Sequence, residues 1–113
     1  MDAVSLDTAY AVSDEVVAYA IRLVGSTRPE TPDAPPYIKE YVRWGASPRA
    51  SQYLVLGAKA RAATAGRLCA DYEGVRSVAR EVLRHRVLTN FNARAQKVNV
   101  PDLIERLLHE VRV

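Results

Sequence analysis

Apolar residues recur along most of the chain at the three- and four-residue spacing of helices, and they nowhere alternate long enough to specify a sheet. In the first such stretch Val16, Val17, Ala20, Ile21, Leu23 and Val24 form one stripe. Ser13 stands where a hydroxyl can accept from a free backbone N–H, and Asp14 and Glu15 load the first turn with the charge the helix dipole favours. This helix should stop near Gly25 or Ser26. A second pattern, "RASQYLVLGAKARAATA", has Ser47 as N-cap, Pro48 at the first helical position, where its missing N–H costs nothing, and Gly66 as C-cap. Its small residues imply close helix contact. Gly57, which costs roughly 1 kcal/mol relative to alanine inside a helix, points to the near approach of another backbone.

Asp71 caps a third helix bearing Val75, Val78, Ala79, Val82 and Leu83 and ending in "LRHR", cations where the dipole favours them. Pro101 opens a last short helix with Leu103, Ile104, Leu107, Leu108 and Val111. The joins are less regular. "TRPETPDAPPYIKEYVRWGAS" carries four prolines, with Pro48 next after it, too many for regular structure before Tyr37, and a loop that long is usually functional or mobile. At most, short strands form around Tyr41 to Trp44 and Val87 to Thr89. The pattern predicts an all-α fold, a small bundle of about four helices with a long Pro-rich loop between the first and second. A chain of 113 residues makes one domain with a modest core.

Composition adds little to this and excludes some alternatives. With 49% apolar and 26% charged residues the chain reads as globular rather than disordered. No apolar run approaches the roughly 20 residues of a membrane span. The start, "MDAVSLD", is acidic where a secretory leader would be basic, so a cytoplasmic location and no membrane partner are expected. The single cysteine, Cys69, and two histidines make no plausible zinc site; Cys69 is expected as a partly buried core thiol. Charge is segregated. Residues 1–40 hold three basic and seven acidic side chains (−4), residues 41–113 thirteen and six (+7), and thirteen of the sixteen cations are arginine. Nucleic acid, phosphate ligands and acidic protein surfaces are all compatible with that balance.

Catalytic machinery is missing from the sequence. There is no glycine-rich phosphate loop ending in Gly-Lys-Ser/Thr, no suitably framed carboxylate pair and no nucleophile that the histidines would complete. His85, between Arg84 and Arg86, and His109 read as surface histidines. One residue is oddly placed. Arg49 lies in the first turn of the second helix, where the dipole disfavours a cation unless an anion is near. It is either a solvated residue or the donor fork of a phosphate site built on the helix start, and spacing alone leaves both open.

The segments "YVRWGASPRAS", "AKARAATAGR", "VLRHRV" and "LIERLLHEV", with the opening "VSDEVVAYAIRLVGSTRP", resemble the C-terminal lid of the MoxR-type AAA+ ATPases from Val12 to about Val113. The resemblance implies a helical subdomain that follows an α/β nucleotide-binding core and packs over its ATP site, with residues 1–11 as the linker from that core. It implies that Arg49 is the sensor-2 arginine reaching the terminal phosphates of ATP, that magnesium and most of the nucleotide are held by the core, and that Arg84, His85 and Arg86 contact that core. It further implies hydrolysis in the parent protein, an inactive isolated lid, a homo-hexameric ring, chaperone-like work, and proteins with von Willebrand factor A domains as partners. Departures occur at Trp44, at Asp71 and Tyr72, and at "FNARAQK", where the family is usually acidic. Two other readings remain beside it: a stand-alone basic helical module for nucleic acid, the weaker for want of a recognition helix, and a protein-interaction module anchored on Tyr37, Tyr41 and Trp44.

Overall fold

The computed structural model describes residues 12–67 and 69–111, so the linker expected at 1–11 lies outside the described residues. Four longer helices carry the fold: α1 (Asp14–Ser26), α3 (Ala50–Thr64), α4 (Tyr72–Leu83) and α6 (Val100–Glu110). Between them stand two short helices, α2 (Pro36–Tyr41) and α5 (Phe91–Ala95), and two strands, β1 (Val42–Trp44) and β2 (Leu88–Thr89). The all-α expectation holds, with six described helices where the apolar pattern marked about four.

The ends of the long helices follow the local chemistry. Ser13 Oγ accepts from Val16 N, Asp71 Oδ1 from Gly74 N, and Asn99 Oδ1 from Asp102 N. Gly66, at φ 75°, closes α3 in a Schellman turn with Arg67 N bonded to Ala62 O at 2.8 Å. The start of α3 differs from expectation. Its α-helical bonding begins at Ala50, after a tighter turn in which Ser47 O accepts from Ala50 N and Pro48 O from Ser51 N. Ser47 therefore contributes its carbonyl.

Apolar stripes from α1, α3, α4 and α6 meet in one core around Tyr19, Leu23, Leu54, Val75, Leu83 and Leu108. Tyr19 packs edge-on to Tyr72, and its hydroxyl accepts from Arg76 Nη1 at 3.0 Å. At the α3–α4 contact a Cβ added at Gly57 would lie 2.6 Å from Val78 Cγ1, so the close neighbour is a side chain rather than the backbone expected. Gly74 abuts Ala58 in the same seam. Cys69 is exposed, contrary to the expected core thiol: it lies in the short connection between α3 and α4, off the helical stripes.

The Pro-rich segment is ordered by tertiary contacts. Turns bridged by Thr31 Oγ1, which donates to Gly25 O and Arg28 O, carry the chain to α2, where Pro36 sits in the first turn. Ala34, Tyr37, Ile38 and Val42 then pack with Val87, Leu103 and Leu107 in a second cluster. β1 and β2 pair antiparallel, Val42 with Thr89 and Trp44 with Leu88, with a bulge between the two pairs. Tyr37 is buried here and covers the core, so of the three expected anchor residues only half-buried Tyr41 and exposed Trp44 reach the surface. Among the described residues the Tyr37 hydroxyl makes no hydrogen bond of ordinary geometry, although the Glu110 carboxylate is near enough to act on it. Burial first, and the Glu110 carboxylate second, push its pKa above the ordinary tyrosine value, while Arg106, whose guanidinium lies 4.0 Å from the ring centroid, pulls the other way.

Tyr37→Phe should therefore be neutral or stabilising by up to about 1 kcal/mol, since it removes an unmatched buried polar group. The pH signature has a definite sign. The native state holds the phenolic proton to higher pH than the unfolded chain, so this residue's contribution is complete below about pH 10 and is lost as pH rises above it. Denaturant unfolding at pH 7 and pH 10.5 should show the wild type losing more stability than the Phe variant; equal losses would exclude the burial effect.

A second prediction concerns Lys97, which takes the left-handed position after α5 (φ 59°), with Val98 N bonded to Ala93 O at 2.8 Å. Glycine normally fills that position because a Cβ is strained there. Lys97→Gly should raise stability by about 0.5–1 kcal/mol in chemical denaturation; a loss would mean that the lysine side chain itself supports the fold.

Candidate functional site

Arg49 is placed by a joint between the end of α1 and the start of α3. Thr27, fully buried just after α1, donates its hydroxyl to Val24 O at 2.6 Å and accepts from Ala46 N at 3.0 Å. Its carbonyl approaches the segment just after β1 so closely that a Cβ on Gly45 would sit 2.1 Å from Thr27 O. Gly45 is thus required by space. Ala46 and Ala50 are buried on either side of Ser47, Pro48 and Arg49, which all face solvent. A buried small residue before and after an exposed turn fixes where the turn points, and so where the guanidinium begins.

Arg49 adopts right-handed helical geometry (φ −61°, ψ −25°) and has no ion pair or hydrogen bond from its side chain among the described residues. One turn on, Tyr53 occupies the same face of α3, and the Arg86 guanidinium lies 4.9 Å from its ring centroid. Leu56 continues that face and is 58% exposed. α3 is therefore apolar on two sides: Ala50, Leu54, Ala58 and Ala62 face the core, while Tyr53 and Leu56 face outward. Beside the start of α3 an open cleft of about 270 Å³ is lined by Ile21, Val24, Gly25, Arg28, Pro48 and Ser51. Its walls are mostly apolar, with one guanidinium at the edge.

Of the residues singled out by sequence, Arg86 stacks on Tyr53, which lies one turn after Arg49 on α3. Arg84 and His85 are exposed in the same turn after α4. Tyr53 and the cleft around Ile21 were not singled out. The Arg-x-x-x-Tyr spacing carried the first, since residues four apart on a helix are neighbours; nothing local signalled a cleft formed by segments twenty or more residues apart. Chemically the face offers arginine forks suited to phosphate or carboxylate, next to apolar surface that this chain leaves uncovered. Among the described residues no group of three His, Cys, Asp or Glu side chains is arranged to hold a metal ion. No described helix is long and apolar enough to cross a membrane.

Residues 34–107 match the AAA lid domain model, and the chain belongs to the AAA lid domain family. Its likeness within that family is to MoxR-type AAA+ ATPases. It is 33% identical over 100 residues to Chaperone MoxR1 of Mycobacterium tuberculosis, a match covering 88% of this chain and 26% of that protein. A crystal structure from Cytophaga hutchinsonii, of a protein assigned as an ATPase, superposes with a TM-score of 0.86 at 30% identity over 96% of this chain and 32% of that one. The chain thus spans about a quarter of the curated relative it matches, and its fold is that of a MoxR-type AAA+ lid.

Proposed function

We propose that the domain closes over ATP held by an AAA+ core and supplies Arg49 as the sensor-2 arginine. One observation carries this reading: Arg49 is exposed, has no internal counter-charge among the described residues, and is aimed by a rigid buried joint. An unpaired guanidinium held in place suits charge that builds up on phosphate oxygens during hydrolysis, because its orientation need not be reorganised at that moment. The residues present fit phosphate. They offer no ligand set for magnesium among the described residues, so the metal would be bound by the core, where it would polarise the phosphates.

On this reading the outward stripe of Tyr53 and Leu56, with Arg84, His85 and Arg86 near it, is the contact with the core, and the 113-residue chain alone has no ATPase activity. The parent is a cytoplasmic, hexameric, chaperone-like ATPase acting with von Willebrand factor A domain proteins, in keeping with a chaperone among its relatives. The test is hydrolysis by the lid joined to its core. Loss of turnover in Arg49→Ala with an unchanged melting temperature supports the reading, and full turnover overturns it.

A further inference from the structure

The molecule carries a second concentration of unpaired cations that the lid reading does not use. Arg28, Arg67, Arg76, Arg80 and Arg106 each pair with a carboxylate. Arg43, Arg94 and Lys97 have no such partner among the described residues and are exposed. They lie on the two-strand ribbon and the short helix that follows it. The same region exposes aromatic surface: Trp44 is 53% and Phe91 84% exposed.

α5 is too short to persist by itself, since isolated helices need roughly 12–15 residues to be even marginal. Tertiary bonds hold it in place. Asn90 caps it through Ala93 N, donates Nδ2 to Glu40 O at 2.7 Å, and bonds its own N–H to Tyr41 O at 2.9 Å. At the other end Tyr41 donates its hydroxyl to Gln96 Oε1 at 2.9 Å. Ala93 faces inward and is fully buried, which leaves Phe91 and Arg94, three residues apart, on the outward face. Lys97 follows in a strained backbone position that glycine would fill more easily. A fixed platform, an uncovered phenyl ring and a cation kept at an energetic cost all favour something outside the chain.

We infer that the outward face of α5 and the turn after it, Phe91, Arg94 and Lys97, docks an acidic protein segment, an apolar side chain of which covers Phe91; Arg43 and Trp44 lie on β1, which pairs with the strand just before α5. Arginine and aromatic residues are the types enriched at the centres of protein interfaces. The charge calls for carboxylates, as does the +7 balance of residues 41–113. Single-stranded nucleic acid is less well matched. It needs several open rings for base stacking, and one face of the Trp44 ring is occupied by the Arg43 guanidinium at 5.0 Å.

The experiment titrates the 113-residue chain into a labelled short peptide of Glu and Asp with a central leucine, and separately into an oligo-deoxythymidine strand, by fluorescence anisotropy at low salt. Expected is peptide binding that weakens about tenfold or more in Phe91→Ala and in Arg94→Glu, the loss typical of an anchoring residue. Arg61→Glu makes the same charge change about 18 Å along α3 from Arg49, away from the ribbon, and should leave binding nearly unchanged. No peptide binding, equal weakening by Arg61→Glu, or an unaffected Phe91→Ala would overturn the inference. Tighter binding of the oligonucleotide with the same dependence on Arg94 would overturn it in favour of nucleic acid. Phe91 and Arg94 are exposed, so melting curves should match wild type, and the outcome is independent of any role of Arg49.

Discussion

Gly45→Ala should unfold the protein more than 10 °C below wild type, although it adds a single methyl group. The new Cβ would be placed 2.1 Å from Thr27 O and 2.7 Å from Thr27 Oγ1, against backbone rather than a side-chain tip that can swing aside. Relief requires moving the segment after β1 away from the end of α1. That movement breaks the bond from Ala46 N to Thr27 Oγ1, both buried. Overpacking costs about 1–3 kcal/mol, and an unpaired buried N–H about 1–3 kcal/mol more. A sum near 4 kcal/mol is a large part of the 5–15 kcal/mol that holds a domain together. At roughly 4–8 °C per kcal/mol for a domain of this size, the shift is easily read by circular dichroism. A melting point within about 3 °C of wild type would show the joint to be compliant.

Arg49→Ala is expected to act on the opposite side of the ledger, removing activity without touching stability. Its side chain is exposed and unpaired among the described residues, so truncation should change stability by no more than about 0.5 kcal/mol. In the lid joined to its core, loss of one charge-stabilising donor should lower the rate of ATP hydrolysis about 100-fold or more. Arg49→Lys keeps the charge but not the planar fork and should recover only part of the rate. The comparison with Gly45→Ala is informative, because that change should lower both stability and turnover by shifting where the guanidinium stands.

Local rules made the long helices legible. Ser13, Asp71 and Gly66 act through backbone groups within a few residues of themselves, and the structure uses all three as the sequence suggested. α2 and α5 were not legible, because what holds them comes from far along the chain: Asn90 on Glu40 O, Tyr41 on Gln96. Ser47 misled because proline at the next position favours a tight first turn that draws on the serine carbonyl. At the candidate site Arg49 stood out as a cation against the dipole. The Arg86–Tyr53 stack spans thirty-three residues, and no spacing rule reaches that far. Thr27 was equally silent: a threonine after a helix is common, and only the folded chain shows its hydroxyl shared between two backbone groups.

That shared hydroxyl has a mechanical consequence. Thr27 bonds at once to the last turn of α1 and to the segment that launches α3, with no open space at Gly45 for the two to pivot. A displacement of α1 should therefore reach the turn that carries Arg49 with little slack. On the proposed reading, a swing of this domain would move lever and tip together, as a rigid body rather than a loop gate, with the bending placed outside this joint.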